Sequence, residues 1–154
     1  MAPATTAPDA ALEAEIRALD LAPGDEVIAP AFTFFATAGA IHNAGGVPVF
    51  ADIDPVTFNI TPEAIEAAIT PRTRAIVVVH LFGQMAPMER IVQVAAKHGL
   101  AIIEDGAQTI GARRLVDGQW KHPGQLGTVA TLSFFPTKNL GAWGDGGMML
   151  TNDE

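Results

Sequence analysis

The sequence predicts an α/β fold, a three-layer α/β/α sandwich built on a mostly parallel sheet. Short apolar, β-branched runs alternate with helical patterns at the spacing of βαβ units, and glycine or proline punctuates most junctions. One run, Arg74–His80, is apolar at consecutive positions, as in a strand covered on both faces. The 154 residues, 49% of them hydrophobic, suffice for one domain that buries well over half of its unfolded surface.

Residues 1–8 (MAPATTAP) are small and proline-rich and read as an unstructured lead-in, leaving 9–154 as a single domain. Asp9 is placed to cap a helix through about Asp20, in which Leu12, Ile16 and Leu19 form one apolar stripe. Pro23-Gly24-Asp25 turns the chain into a short strand, Glu26–Pro30. Phe32–Ala44 reads as a helix stopped by Gly45-Gly46, and Val47–Ala51 as a strand. Thr61 as N-cap, with Pro62 at the first helical position, opens a helix that stops before Thr70-Pro71. Arg74–His80 is the buried strand, Pro87–His98 a helix closed by Gly99, and Leu100–Glu104 the next strand. Val129–Phe135 and Gly146–Thr151 are separated by a glycine-rich loop too short for a helical crossover, so that pair is expected to be antiparallel.

Composition narrows the partners. A net charge of −8 with 9 basic residues and no basic cluster speaks against nucleic acid. There is no cysteine, hence no disulfide and no thiolate metal site. Met1–Ala11 carries neither a basic nor an apolar leader pattern, and runs such as Ala75–Val79 fall far short of the ~20 residues that span a bilayer. A soluble, cytoplasmic protein is expected, with no membrane partner.

In open α/β sheets ligands lie beyond the carboxyl ends of the strands, so the chemistry is sought there. Lys138 stands in SFFPTKNLGAWGDGG with no cationic neighbour within five residues. A lysine in a partly desolvated pocket keeps the neutral amine that Schiff-base chemistry needs, although a solvated loop lysine is the commoner case. Asp105 ends an apolar strand, where a carboxylate is expensive to desolvate without a cation. A protonated pyridine nitrogen would serve, as would a nearby arginine or a helix cap. Gln108, three residues on, shares a face with Asp105 if a helical turn follows. Ser133 can bond a phosphate oxygen beside a glycine-rich turn, or be a satisfied core hydroxyl. Phe34 can stack on an aromatic ring, or be core. His80 ends a buried strand at the same rim. The dinucleotide and P-loop fingerprints are absent. Asp52 and Asp54 suit a strand-ending turn better than a metal site, and none is expected.

Several long blocks, GDEVIAPAFTFFATAGAI, VPVFADIDPVTFNITPEAIEAAITPRTRAIVVVHLFGQMAPM, GLAIIEDGAQTIGA and LSFFPTKNLGAWGDGGMMLTNDE, resemble the DegT/DnrJ/EryC1/StrS aminotransferases from about Leu19 to Glu154. The resemblance implies a fold type I enzyme dependent on pyridoxal 5′-phosphate, a homodimer that moves an amino group from glutamate or glutamine to a keto sugar, usually nucleotide-linked. It makes Lys138 the Schiff-base lysine and proton carrier. Asp105 becomes the partner of the pyridine nitrogen, with Gln108 a cofactor contact beside it. Ser133 becomes the phosphate ligand and Phe34 the stacking aromatic. A dehydratase branch has histidine in place of the lysine, so Lys138 favours transamination. Set against the family, the chain is expected to lack the large domain's first strand, a Ser-Gly-Thr phosphate turn and the C-terminal domain. An acidic Asp9 at the following helix would repel phosphate, weakening the cofactor site or leaving a catalytically inactive remnant. The last strand would then be a bare, aggregation-prone edge.

Overall fold

A computed structural model describes residues 10–152. The lead-in expected at 1–8 and the Asp9 cap lie outside the described residues. Four helices and eight strands follow one another: α1 (Ala10–Arg17), β1 (Glu26–Pro30), α2 (Phe35–Asn43), β2 (Val47–Ala51), α3 (Pro62–Ala68), β3 (Thr73–Val79), α4 (Met88–His98), β4 (Ala101–Asp105), β5 (Arg114–Val116), β6 (Gln119–Lys121), β7 (Val129–Ser133) and β8 (Gly147–Thr151). Six strands make one sheet in the order β2-β1-β3-β4-β7-β8. All its pairs are parallel except β7 with β8, which is antiparallel as the short connection requires.

Strand side chains alternate between faces, and both faces of this sheet are apolar. On one face Val27, Ala29, Ala75, Val77 and Ile103 pack with Leu12 and Ile16 of α1 and Ala40 and Ile41 of α2. On the other Ile28, Ile76, Val78 and Ile102 pack with Ile65 of α3 and Met88, Ile91 and Ala95 of α4. Each fully buried aliphatic contributes about 1.5–3 kcal/mol relative to exposure, which is what holds two helical layers to one sheet. No helix among the described residues is long and apolar enough to cross a membrane.

The helix ends obey local chemistry. Thr61 Oγ1 accepts the Ala64 N–H at 3.1 Å and Pro62 begins α3. Gly99 closes α4 at φ 66°, a left-handed conformation that costs glycine nothing. Strand limits shift by one or two residues, β7 ending at Ser133 instead of Phe135, and two helix boundaries differ more from expectation. α1 stops at Arg17, because the Leu19 and Asp20 amides turn back to the Ile16 and Arg17 carbonyls and Asp20 goes left-handed at φ 50°. α2 begins at Phe35, since Phe34 stays extended at φ −69°, ψ 144°. β5 and β6 form an antiparallel hairpin that the βαβ rhythm did not anticipate. Its signal is local: Asp117-Gly118, both with positive φ, are the two turn residues that a tight hairpin demands.

Candidate functional site

The site is set by strand register. Val79, Asp105 and Thr131 lie side by side at the carboxyl ends of β3, β4 and β7. By alternation they share the face of Val77 and Ile103, the face that α1 and α2 cover. A cavity of about 370 Å³ opens there. Ala11 and Leu12 of α1 wall one side, Thr33, Phe34 and Thr37 another, and Ser133 and Lys138 close the third. Phe34, Asp105, Gln108, Ser133 and Lys138, dispersed over more than a hundred residues of sequence, all line this one cavity.

Asp105 is half-buried, and its Oδ1 accepts one backbone hydrogen bond, from Ala107 N at 3.0 Å. Burial holds its carboxyl above the usual aspartate range; the Ala107 amide, then His80 and Lys138, pull the other way without cancelling it. Lys138 is half-buried on the turn after β7, its backbone N–H bonded to the Phe135 carbonyl at 2.8 Å. Its ammonium group makes no ion pair among the described residues. An under-partnered carboxyl and an amine therefore share one pocket. Gly106 allows the turn after Asp105, since a Cβ there would come within 2.7 Å of the Thr131 carbonyl oxygen.

Gln108 does face the cavity, and it also braces the rim. Its Oε1 accepts the Phe82 N–H at 2.8 Å, holding Phe82 at φ 56°. Ser133 is buried, with its Oγ only 3.4 Å from the Phe135 amide, a long contact that leaves the hydroxyl largely uncommitted. Phe34 is 71% exposed, so it is a ring at the mouth and not part of the core. His80 is a buried part of the cavity wall: Nδ1 accepts the Ala86 N–H at 3.2 Å, which leaves Nε2 to face Glu104 Oε2 at 2.8 Å. Glu104 Oε1 accepts the Gly124 and Gly127 amides at 3.2 and 2.6 Å. That dyad ties the loops after β3 and before β7 to the strand that carries Asp105. Asp54 spends its carboxylate on a turn, accepting the Val56 and Thr57 amides.

Sequence reasoning missed Glu15. It lies three residues after Leu12 and four before Leu19, inside the apolar stripe of α1, and is only 4% exposed. Burial, with a smaller contribution from the charge of Asp105, pushes its carboxyl up to about 8.

The mostly parallel sheet with a cavity at its carboxyl edge is shared with solved aminotransferase structures, which places the chain in their fold class. The chain belongs to the DegT/DnrJ/EryC1/StrS aminotransferase family, whose model matches residues 2–154. It is 60% identical over 144 residues to a Geobacillus stearothermophilus protein named pleiotropic regulatory protein, covering 94% of this chain and 38% of that one. It is 54% identical over 143 residues to the UDP-N-acetyl-3-dehydro-alpha-D-glucosamine 3-aminotransferase of Acidithiobacillus ferrooxidans, covering 93% and 38%. The crystal structure of ntda from Bacillus subtilis with bound cofactor PMP superposes with a TM-score of 0.86 at 44% identity, over 97% of this chain and 32% of that one. The chain thus spans about 38% of the length of the curated relatives it matches.

Proposed function

We propose that this chain is the cofactor-holding core of a pyridoxal-phosphate-dependent aminotransferase. In the intact enzyme, a cytoplasmic homodimer, it would transfer an amino group from glutamate or glutamine to a nucleotide-linked keto sugar. Residues 9–154 form its one domain in this reading. The observation that carries it is the pairing of an under-partnered Asp105 with Lys138 across one cavity.

The residues fit the group. Asp105 makes no ion pair among the described residues and would gain one from a protonated ring nitrogen, which would relieve the cost of its burial. Pyridoxal phosphate, when bound, supplies an electron sink for the carbon beside the transferred nitrogen. Lys138 Nζ is the amine within reach that can hold the cofactor and carry the proton between carbon centres. Phe34 offers a flat face at the mouth that would cover one side of the ring. Ser133 Oγ, largely uncommitted on the cavity wall, would supply a donor for a phosphate oxygen. Gln108 fixes the rim while facing the same space. Exposed Phe32, Phe58 and Phe82, in successive tilted and edge-to-face contact with centroids 5.7 and 6.1 Å apart, make an apolar rim suited to a second subunit.

The test is an absorbance scan of the purified chain with pyridoxal phosphate, then borohydride reduction and peptide mapping. A band at the edge of the visible with the pyridoxyl group on Lys138, both lost in Lys138→Ala, is the expected result. A folded protein that shows no band would instead support the rival reading, an inactive core without a working cofactor site.

A further inference from the structure

Glu15 is the one buried side chain among the described residues whose polar atoms, both carboxyl oxygens, have no hydrogen-bond partner. It follows Ala11 by four residues and Leu12 by three, so it lies on the helix face that walls the cavity, one turn deeper. Its surroundings are dry: Leu12, Ile16 and Ile103 belong to the apolar layer between α1 and the sheet.

The ionisable groups near it are few. Glu13 and Arg17 pair with each other at 2.7 Å on the outer side of α1. α2 brings His42, which is exposed, and β7 and β8 bring no ionisable side chain. On β4, Glu104 points to the opposite face and is held by His80 and two glycine amides. What remains among the described residues is Asp105, which Glu15 feels electrostatically, with His80 and Lys138 beyond it on the cavity wall.

Resting on the cofactor reading above, we propose that Glu15 is a second carboxyl group of the cofactor site: it carries a proton in the cofactor-free protein and yields it to solvent when a protonated pyridine ring settles against Asp105. Two neighbouring carboxylates in a dry layer repel and cannot both be solvated, so without a cation one of them keeps its proton. Glu15, which has no donor, is the one that does, while Asp105 keeps the Ala107 amide. A ring cation on Asp105 favours the ionised form of both acids, and the pair titrates as a unit. The Glu15 O–H bond then breaks, its electrons stay on the carboxylate, and the proton passes to the buffer. Glu15 thus positions charge behind Asp105 without touching the ring, and affinity for the cationic ring rises with pH through the range in which Glu15 titrates.

Calorimetric titration with pyridoxamine 5′-phosphate, which needs no bond to Lys138, tests this in two pH 7 buffers of different ionisation enthalpy. Wild-type protein should release more protons on binding than Glu15→Gln or the apolar Glu15→Met, the difference being a fraction of a proton per site because the ring cation offsets the charge of Asp105 and leaves the burial of Glu15 in place. Equal proton release by all three overturns the proposal. If none of them binds the probe, the cofactor reading fails for this chain, and the carboxyl pair is decided without cofactor. Carbon-13 NMR would then follow the Glu15 carboxyl: a titration that moves to lower pH in Asp105→Asn upholds the coupling, and one that does not move refutes it.

Discussion

Glu15 also governs how stability depends on pH. Its carboxyl is raised in the folded chain to about 8, from 4.5 when free. Below about pH 4.5 both states hold the proton and there is no penalty. Between there and pH 8 the unfolded chain ionises first, so stability falls as pH rises. The loss is on the order of a few kcal/mol, since the full shift is an upper bound. Glu15→Gln stays neutral throughout. We expect its melting temperature at pH 8 to exceed wild type by roughly 5–10 °C and the two to converge near pH 4, as thermal unfolding across pH would show. A constant gap at every pH would mean that packing, not ionisation, sets the effect. Asp105 slopes the same way, because burial raises it too.

Single elements make narrower claims. The α3 cap is one hydrogen bond from Ala64 N to Thr61 Oγ1 on a seven-residue helix. Thr61→Ala should lower stability by about 1 kcal/mol in urea unfolding, with the denaturant slope unchanged. β8 is the edge of the sheet, paired only with β7 among the described residues, and its Met148 and Met149 are about half exposed. Unpaired edges recruit other strands, and a charge deters them. Met148→Lys should therefore reduce light scattering in concentrated solution without shifting the circular dichroism spectrum; equal scattering would show that aggregation starts elsewhere.

At the scale of the whole molecule, the aromatic rim beside the cavity is the feature that a single chain leaves unexplained. Phe34, Phe35 and Phe82 are each more than two-thirds exposed. Phe82 continues through Phe58 to Phe32, and exposed apolar surface of this kind marks an interface. Wild-type protein should sediment as a dimer at micromolar concentration. The double variant Phe35→Ser, Phe82→Asn should sediment as a monomer, asparagine being chosen because it tolerates the left-handed backbone at position 82. A monomeric wild type would remove the dimer from the proposed function.

Much of this could be read directly from the chain. Local rules determined the alternation of strands and helices, the Thr61-Pro62 start of α3, the Gly99 stop of α4 and the antiparallel final pair, because caps, breakers and periodicity act within a few residues. Asp105, Gln108, Ser133 and Lys138 stood out because polar residues at the ends of apolar strands carry their own signal. The β5–β6 turn was equally local in Asp117-Gly118, but it fell outside the βαβ rhythm. Tertiary structure alone decided three things. It showed that Phe34 is an exposed ring at the cavity mouth, that the His80–Glu104 dyad ties together the loops around the strand of Asp105, and that Glu15 is buried between α1 and the sheet where the charge of that same aspartate is felt. Each depends on which strands become neighbours and which helix covers them, and the ionisation of Glu15 follows from a desolvation that only the packed layer of α1 against β4 creates.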